Sequence, residues 1–437
     1  MLRARLDTGG DAVKIVIANG PGRLDSGKAV ILFPSRWDSA VNGKPLFRFY
    51  PYELALLSTL LKREMPDAHV ELVDGNLYGW DGERYALELR KRKPDVLICE
   101  LSALTYATMT RVMRAANPER AILCGPMATH DPQRTHDDGW DDHISGEYEA
   151  KVLALLTGKD EAPGYIDLDW LPWPEDEDVP RIAYQEINHY RPGIVQLYAT
   201  RGCPLACTFC VVPTYYGGHG HSHRSHRCRD VDNVCAEIEY LAAKYPQFGG
   251  CYFNEEAHNA NPDWLVTFCE ALIRHDLNKY HYDAMCGYWT MTEELVQLMA
   301  RAGYEHFRFG VESTSEVVGK RIGKTIHLER IEQLLRWLRD AGIHAYGTFQ
   351  IGASGSTEET DLATLADLRK WRDAGLMQKW QVSTSTPQPA TPFYNSAKKN
   401  GWLTTDDLDK YDGWNAVISY PDYPAERIAA VRQGAGL

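Results

Sequence analysis

The feature that most constrains the fold is a regular alternation of short apolar runs with longer amphipathic stretches. The apolar runs in the first 160 residues are short enough for strands that are buried on both faces. These runs are Val13–Ala18, Val70–Val73, Asp95–Cys99 and Ala121–Cys124, and the helices predicted between them are Tyr52–Glu64, Glu83–Lys93 and Tyr106–Asn117. Strands that alternate with helices form a parallel sheet, so we expect a doubly wound, Rossmann-like α/β domain whose ligands bind beyond the carboxyl ends of the strands.

A second strand–helix series follows a segment that breaks this pattern. Residues 163–181 are rich in proline and acidic residues, which is typical of a linker. Strands are then predicted at Val195–Thr200, Gly250–Phe253, His281–Cys286, His306–Gly310 and His344–Ile351, and helices at Asp232–Lys244, Pro262–Arg274, Glu293–Ala302, Leu328–Ala341 and Glu358–Asp373. We therefore expect a full or partial (β/α) barrel. The predicted division is a domain at 1–160, a linker at 161–190, a partial barrel at 191–390 and a C-terminal extension at 391–437.

Composition narrows the range of functions. The chain has 437 residues and a formal net charge of −13, which disfavours general nucleic-acid binding because that affinity comes from dense basic residues. No apolar run is long enough to span a membrane, and the N-terminal sequence lacks the apolar core of a secretory signal. The ten cysteines are too scattered to indicate a disulfide framework. We therefore expect a cytoplasmic protein without membrane contact.

Three cysteines stand close together after the first strand of the predicted barrel, in the sequence Cys203-Pro-Leu-Ala-Cys207-Thr-Phe-Cys210. Soft thiolates at this spacing suit an iron–sulfur cluster or zinc. A structural zinc site is closed by four ligands, and the fourth would have to be Cys228 or a nearby histidine. Three thiolates on a four-iron cluster would instead leave one iron open to a substrate, and we favour this interpretation.

The CxxxCxxC motif, with the aromatic residue Phe209 before its last cysteine, resembles the signature of the radical S-adenosylmethionine (radical SAM) superfamily. The resemblance implies that Cys203, Cys207 and Cys210 are catalytic residues that hold a 4Fe–4S cluster. Its open iron would chelate S-adenosylmethionine (SAM), and one-electron reduction would cleave SAM to methionine and a 5′-deoxyadenosyl radical. A reducing partner such as flavodoxin or ferredoxin is implied as well.

Further segments resemble the SAM-binding elements of that superfamily. Glu255 and Glu256 follow the second barrel strand at an acidic motif that contacts the methionyl amine, Glu312 and Ser313 follow the fourth strand where a carboxylate bonds the ribose, Lys324 stands where many members carry a basic residue, and Gln350 lies in the glycine-flanked segment of the fifth strand. Neighbouring residues on a strand face opposite ways, so the sequence does not decide which of the two adjacent glutamates points inward.

The N-terminal domain resembles the cobalamin-binding domain that precedes many radical SAM enzymes. Ser102-Ala-Leu104 matches an SxL element that lines the corrin, and Gly125 and Pro126 lie in place of a glycine pair after the next strand. Met127 replaces the usual histidine, and no DxHxxG motif follows the first strand; Asp74-Gly-Asn-Leu-Tyr-Gly79 mimics it after the second. We expect cobalamin as a cofactor without a histidine ligand. The alternative is a domain that keeps this fold for packing or for another ligand.

Together the resemblances imply a radical SAM enzyme that uses cobalamin to methylate an unactivated carbon, similar to the class B methyltransferases. The alternatives are a radical rearrangement, cyclisation or isomerisation without methyl transfer, and a non-catalytic iron–sulfur or zinc-binding protein. We expect a small-molecule or other anionic substrate, for which the basic loop His219–His226 is a candidate clamp. Gly22–Lys28 has phosphate-loop spacing, but Ala29 replaces the required Ser or Thr and an extended segment follows, so we discount nucleotide binding.

Overall fold

The computed structural model describes residues 12–33, 36–45, 47–130, 132–159, 165–184, 191–217, 226–389 and 391–435. These residues form two compact units. The first comprises the described chain as far as Tyr184, together with Thr214–Gly217 and Asp407–Asp412, and the second comprises 191–213, 226–406 and 413–435. No helix within these ranges is long and apolar enough to cross a membrane.

The first unit has the predicted doubly wound fold. Its strands are β1 (Lys14–Ala18), β2 (Ala29–Leu32), β3 (Asp38–Val41), β4 (His69–Val73), β5 (Val96–Glu100), β6 (Arg120–Cys124) and β7 (Asp142–Ile144). Its helices are α1 (Tyr52–Glu64), α2 (Gly75–Tyr78), α3 (Gly82–Arg92), α4 (Ala103–Ala116), α5 (Pro126–His130), α6 (Pro132–Asp137) and α7 (Glu149–Thr157), with a 3₁₀ turn at Arg181–Ala183. Five strands form a parallel sheet in the order β4-β1-β5-β6-β7. The strand order reverses between β1 and β5, which is where ligands bind in such sheets.

Helix α4 begins earlier than the sequence predicts. The predicted start was Tyr106, whereas the helix begins at Ala103 with Ser102 as its N-cap. The SxL element is therefore a helix N-terminus and not a loop, and Leu104 is buried within it. Burial of Leu104 stabilises the first turn of α4. Tertiary packing therefore lets the helix begin before the residues whose periodicity predicts it.

A hairpin of β2 and β3, which the sequence analysis did not predict, follows the first strand. Its strands pair antiparallel, with Ile31 opposite Ser39. An apolar cluster joins this segment to α4 and consists of Leu24, Val30, Leu32, Ala40 and Leu104. Because Ala29–Leu32 is a strand, no phosphate-binding helix follows Lys28, and the discounting of nucleotide binding is confirmed.

Two peripheral segments are tied to the first unit by polar contacts. Residues 165–184, which include most of the predicted linker, dock on α1, where Lys62 Nζ lies 2.8 Å from an Asp178 carboxylate oxygen. The segment Asp407–Asp412 ties the hairpin: Lys28 Nζ lies 2.9 Å from the Asp412 carboxylate, and Ser39 Oγ donates to the Asp412 carbonyl at 2.7 Å. Both segments therefore stabilise elements far from them in the sequence.

The second unit is the predicted partial barrel. Its strands are β8 (Ile194–Leu197), β9 (Thr200–Arg201), β10 (Arg227–Cys228), β11 (Gly250–Phe253), β12 (His281–Cys286), β13 (Tyr304–Glu312), β14 (His344–Ile351) and β15 (Lys379–Thr384). Its helices are α9 (Val231–Lys244), α10 (Pro262–Arg274), α11 (Glu293–Arg301), α12 (Glu316–Ile322), α13 (Leu328–Asp340), α14 (Glu358–Asp373), α15 (Pro392–Lys399) and α16 (Ala425–Gln433). Helix α8 (Val212–Gly217) begins in this unit and ends in the first, and a 3₁₀ turn at Leu408–Lys410 belongs to the first unit. Six strands form one parallel sheet in the order β15-β14-β13-β12-β11-β8.

The two faces of this sheet differ in chemistry. The face toward the helices is apolar: Phe253 of β11 meets Phe268 of α10 at 5.6 Å between ring centroids, and Phe307 and Phe309 of β13 are fully buried. The alternate residues of β13, among them His306 and Arg308, lie on the opposite, inner face. The core therefore lies between sheet and helices, and the polar inner face is the lumen of the partial barrel.

Candidate functional site

The three clustered cysteines lie on a loop that follows β9 at the carboxyl edge of the barrel sheet. The loop is fixed from both sides at Thr208, whose N–H donates to the Ile322 carbonyl at 2.8 Å and whose carbonyl accepts from Phe393 N–H at 2.9 Å. Within it, Cys210 N–H donates to the Cys207 carbonyl at 3.1 Å. The backbone therefore holds the thiols in place without help from a bound group.

The three thiols are close enough to influence one another. Burial raises the pKa of Cys203 to about 12, and the neighbouring Cys207 adds to this shift. Burial also raises the pKa of Cys207 and of Cys210, and Cys207 and Cys203 raise that of Cys210 further. A bound cation has the opposite effect on these pKa values, since a thiol that coordinates a metal is deprotonated. Three soft donors on one loop, one buried and two half-buried, fit the iron–sulfur cluster that the motif predicts.

The chemistry of the donor set also bears on the zinc alternative. A single zinc ion draws its thiolates to ~2.3 Å from one centre. No three His, Cys, Asp or Glu side chains converge in this way within the described ranges. Cys228, the expected fourth ligand, instead has its Sγ 4.0 Å from His226 Nδ1. The preference for an iron–sulfur cluster over zinc therefore rests on the spacing of the three cysteines in the sequence.

The adjacent glutamates after β11 face opposite ways. Glu256 accepts a hydrogen bond from Gly202 N–H at 3.0 Å, and its charge raises the pKa of Cys203. Glu255 is fully buried on the other side, where its Oε1 lies 2.6 Å from His258 Nδ1. Glu256 is therefore the residue that faces the cysteine loop. Its Oε1 is buried and has no hydrogen-bond partner among the described residues, which suits an incoming ammonium group.

Glu255 belongs to a buried hydrogen-bonded chain behind the site. His258 Nε2 lies 2.6 Å from the hydroxyl of Tyr304, and the His258 ring stacks on Phe253 with centroids 4.5 Å apart. All of these groups are shielded from solvent. Glu255 thus supports the end of β11. Its Oε1 also accepts from Thr200 Oγ1 at 3.4 Å, and its Oε2 has no hydrogen-bond partner among the described residues.

A second polar group lies at the end of β13. Glu312 adopts a left-handed backbone conformation with φ 66°, after a register shift between Gly310 and Glu312. Such strain in a non-glycine residue costs ~1–3 kcal/mol and is concentrated at functional sites. A Cβ on Gly310 would lie 2.1 Å from Glu312 Oε1, so only glycine fits beneath this carboxylate.

Two predicted residues hold the Glu312 carboxylate. Lys324 Nζ lies 3.3 Å from its Oε1, and Gln350 Nε2 donates to its Oε2 at 2.8 Å. Ser385, which the sequence analysis did not identify, donates to Gln350 Oε1 at 2.8 Å. Burial lowers the pKa of Lys324, but Glu312 and then Cys207 more than offset this and the pKa is raised. The network therefore carries a fixed positive charge close to Cys207.

Two other predicted residues lie in supporting positions. Ser313 is fully buried, with its Oγ 3.2 Å from Thr364 Oγ1 and accepting from Ser315 N–H at 3.1 Å. The Phe209 ring packs against an apolar cluster of Val318, Ile322 and Ala353. Their cofactor contacts stay predictions. Of the basic loop, only His226 lies in the described residues, where its Nε2 is 3.1 Å from the Ala257 carbonyl.

The first unit has a small, partly open pocket at the point where its strand order reverses. It is lined by Asn19, Leu32, Phe33, Arg36, Asp38, Phe49, Pro51, Glu100, Ser102 and Pro126. Of the predicted corrin contacts, Ser102 and Pro126 line it. Leu104 packs beneath the hairpin instead, and Gly125, with φ 86°, packs on Glu100, whose Cγ a Cβ would approach to 2.7 Å.

Asp38 of the hairpin is a site residue that the sequence analysis missed. Ser102 Oγ donates a short hydrogen bond to its Oδ2, and Thr105 Oγ1 donates to the same atom at 3.0 Å. Burial raises the pKa of Asp38 to about 6. Asp38-Ser-Ala-Val-Asn-Gly43 has the DxHxxG spacing with Ala40 in the histidine position, a signal that a search requiring histidine overlooks. The Asp74 segment caps α2 and is structural.

Comparison of this chain with known proteins agrees with this geometry. Residues 197–368 match the model of the radical SAM superfamily. The chain contains a radical SAM domain. Its described part includes the cysteine loop, Glu256 and the Glu312 network, so the predicted superfamily is confirmed.

Relatives extend the likeness beyond the radical SAM domain. The chain is 23% identical over 408 residues to an uncharacterized methyltransferase of Pyrococcus horikoshii, covering 87% of this chain and 85% of that protein. It is 24% identical over 401 residues to the hopanoid C-3 methylase of Methylococcus capsulatus, covering 86% and 73%. The structure of the radical SAM methyltransferase TsrM from Kitasatospora setae, with cobalamin and a [4Fe–4S] cluster bound, has a TM-score of 0.65 at 18% identity, covering 90% and 80%. This likeness confirms the predicted fold, with an α/β domain before the partial barrel.

Proposed function

We propose that this protein is a cobalamin-dependent radical SAM enzyme that methylates an unactivated carbon. The observation that carries the proposal is the grouping of the three cysteines, the unpartnered Glu256 Oε1 and the Lys324–Glu312–Gln350 network at one edge of the barrel sheet. Methyltransferases among the sequence relatives support methyl transfer as the outcome of the radical chemistry.

Each of these residues has a proposed role that follows from its chemistry. Cys203, Cys207 and Cys210 would hold the cluster, and Glu256 would accept hydrogen bonds from the ammonium of SAM. Glu312, oriented by Gln350, would bond the ribose hydroxyls, because a carboxylate accepts two hydroxyl donors at once. When bound, the cluster supplies the electron that cleaves SAM, and cobalamin supplies the methyl group.

The first unit fits part of a cobalamin. The pocket lies where the strand order of the parallel sheet reverses, which is where such sheets bind ligands. Ser102 and Asp38 supply polar contacts there, and Leu32, Phe33 and Phe49 supply apolar ones. The described residues that line the pocket include no histidine, cysteine or methionine.

We further propose that the protein works in the cytoplasm on a small-molecule or other anionic substrate. The electron would come from a partner such as flavodoxin or ferredoxin.

The proposal is tested with the anaerobically reconstituted protein, SAM and a low-potential reductant. Formation of 5′-deoxyadenosine tests radical generation, and a product heavier than its substrate by one methylene unit tests methyl transfer. If 5′-deoxyadenosine forms and the product has the mass of its substrate, a rearrangement or cyclisation replaces the methyltransferase. If SAM stays intact in the reduced, cluster-loaded protein, both enzyme proposals fail.

A further inference from the structure

The lumen of the partial barrel contains a tier of polar side chains that the proposed chemistry does not use. Five adjacent strands contribute one residue each, and this lumen tier consists of Gln196, Tyr252, Asp283, Arg308 and Tyr346. The first three pair in register, as do the last two, and the two groups are offset by two residues between β12 and β13. Barrels of this kind normally fill their interior with branched apolar side chains. A polar tier in this place therefore requires an explanation.

Arg308 at the centre of the tier is already neutralised. Its Nε donates to Asp283 Oδ2 at 2.7 Å, and its Nη2 donates to the same oxygen. Its two faces are covered by aromatic rings, with Cζ 4.2 Å from the Tyr252 centroid and 5.1 Å from that of Tyr346. A buried ion pair of this kind is weak evidence for stability, because desolvation offsets its attraction. The tier thus presents a rigid, polar surface with no net charge.

Gln196 of β8 is the unsatisfied member of the tier. It pairs in register with Tyr252, so its side chain lies on the same face of the sheet. It is only 2% exposed, yet neither its Nε2 nor its Oε1 has a hydrogen-bond partner within the described part of the chain. Burying an unpartnered amide is costly. The Gln196 amide therefore has both a donor and an acceptor available. This points to a ligand that supplies one acceptor and one donor to pair with them.

The lumen is more exposed on one side of the tier than on the other. Tyr346, Thr348 and Gln381 on β14 and β15 are half-buried, whereas Gln196, Tyr252 and Asp283 are buried, so a ligand would have to reach Gln196 from the β14–β15 side. Glu312 lies four residues beyond Arg308 on the same strand, which places it ~13 Å further along at ~3.3 Å per residue. A ligand held by the tier can therefore extend from it toward the carboxyl edge where the cysteines lie.

We propose that the lumen tier binds an uncharged amide-like group of the substrate, a primary or cyclic amide whose N–H and C=O pair with Gln196. This inference rests on the proposed function, since it assigns the lumen to the substrate of the radical reaction. It favours a neutral recognition group over an anionic one, because Asp283 already occupies the guanidinium of Arg308. Gln196 is a specificity-determining residue in this account.

The test uses benzamide as the probe, with N,N-dimethylbenzamide and benzoate as matched ligands. Binding is measured by calorimetry or ligand-detected NMR on the anaerobic, cluster-loaded, full-length protein. We expect benzamide to bind at millimolar concentration and Gln196→Leu to weaken it at least about tenfold, the loss of one hydrogen-bonded pair. Gln433→Leu, at an exposed position on α16, should leave binding unchanged. Gln196→Leu should also raise Tm by about 2–4 °C, because it removes a buried unpartnered amide.

The inference is overturned if benzamide fails to bind, if Gln196→Leu binds it as well as the parent does, or if benzoate binds more tightly than benzamide. A lower Tm for Gln196→Leu would also overturn it, since the amide would then serve the fold. None of these readouts needs methyl transfer. If 5′-deoxyadenosine forms while benzamide does not bind, the lumen assignment alone fails; if benzamide binds while SAM stays intact, the proposed function alone fails.

Discussion

The carboxyl ends of the two parallel sheets carry polar side chains in opposite states. At the barrel edge, Glu256 has a buried oxygen without a partner, and Glu312 is held in a strained backbone conformation. In the first unit, Ser102 is already bonded to Asp38 and Leu104 is covered by the hairpin. The first site is therefore preorganised to receive a charged ligand, whereas the second is largely satisfied by the chain itself. The comparison shows that two similar sheet edges can differ in how many of their polar groups the chain itself satisfies.

The largest expected effect lies at the barrel edge. Replacing Cys203, Cys207 or Cys210 with Ala should abolish reductive cleavage of SAM, because two thiolates leave the cluster without its third ligand. Production of 5′-deoxyadenosine by the reconstituted variants measures this. Cys235→Ala on α9, distant in sequence and buried in the apolar layer, is the control and should retain activity. An active Cys207→Ala enzyme would contradict the site.

The next largest effect is expected on cobalamin binding in the first unit. Ser102→Trp should prevent retention of cobalamin, because Ser102 lines the pocket and an indole in its place blocks it. Cluster content and 5′-deoxyadenosine formation should stay unchanged. Ser102→Ala removes only the hydrogen bond to Asp38 and should still retain the corrin. Equal cobalamin retention by Ser102→Trp and the parent, measured by absorbance after gel filtration, would remove this pocket from the cofactor site.

A smaller effect separates the two adjacent glutamates. Glu256→Gln should weaken SAM binding about tenfold, since a hydrogen bond to a charged acceptor contributes ~1.5–3 kcal/mol. Glu255→Gln should leave the SAM dissociation constant unchanged and lower Tm, because it disturbs the buried contact with His258. Calorimetric titration with SAM and thermal unfolding of both variants check this. The opposite assignment of effects would mean that Glu255 faces the ligand.

The smallest effect is a pH dependence in the first unit. Burial raises the pKa of Asp38 to about 6, so between about pH 4 and pH 6 the folded chain keeps a proton that the unfolded chain has released. This group therefore costs the fold stability as pH rises through that window. Asparagine does not titrate in this range. The free energy of unfolding of Asp38→Asn, relative to that of the parent, should therefore increase by ~2–3 kcal/mol from about pH 4 to pH 7. Urea unfolding at both pH values measures it.

Asp361 provides the matching control in the second unit. Burial raises its pKa to about 6 as well, although backbone N–H of Gly352 donates to it at 2.7 Å. Asp361→Asn should show a pH dependence of the same sign. If the Asp38→Asn and parent stabilities change in parallel with pH, Asp38 is ionised in the fold and the short Ser102 contact is a hydrogen bond to a carboxylate.

The strands and helices were predictable where local pattern and burial agree. Gly250–Phe253, His281–Cys286 and Pro262–Arg274 have the predicted bounds, because each shows the period of its own structure between turn residues. The β2–β3 hairpin and β15 were not predicted. Their residues are short apolar or mixed runs, and their conformation depends on pairing with distant segments.

The site was predictable to the extent that motifs specify backbone position. The cysteine spacing and the order of Glu312 and Gln350 along the chain were sufficient to place these residues. The sequence could not predict which way Glu256 points or that Asp38 pairs with Ser102. Both depend on residues that are distant along the chain: Gly202 contacts Glu256, and Asp38 lies in a hairpin 64 residues from Ser102. Side-chain partnership is set by tertiary structure and carries little signal in a single sequence.

The account requires two cofactor sites in one chain, and elemental analysis tests this most directly. The protein is reconstituted anaerobically with iron and sulfide, incubated with hydroxocobalamin and separated from unbound metal by gel filtration. We predict about four iron atoms per chain, for one cluster on three cysteines, together with about one cobalt. Zinc in place of iron, or iron near eight per chain, would contradict the cluster assignment. Iron near four with no retained cobalt would contradict the cobalamin-dependent methyltransferase.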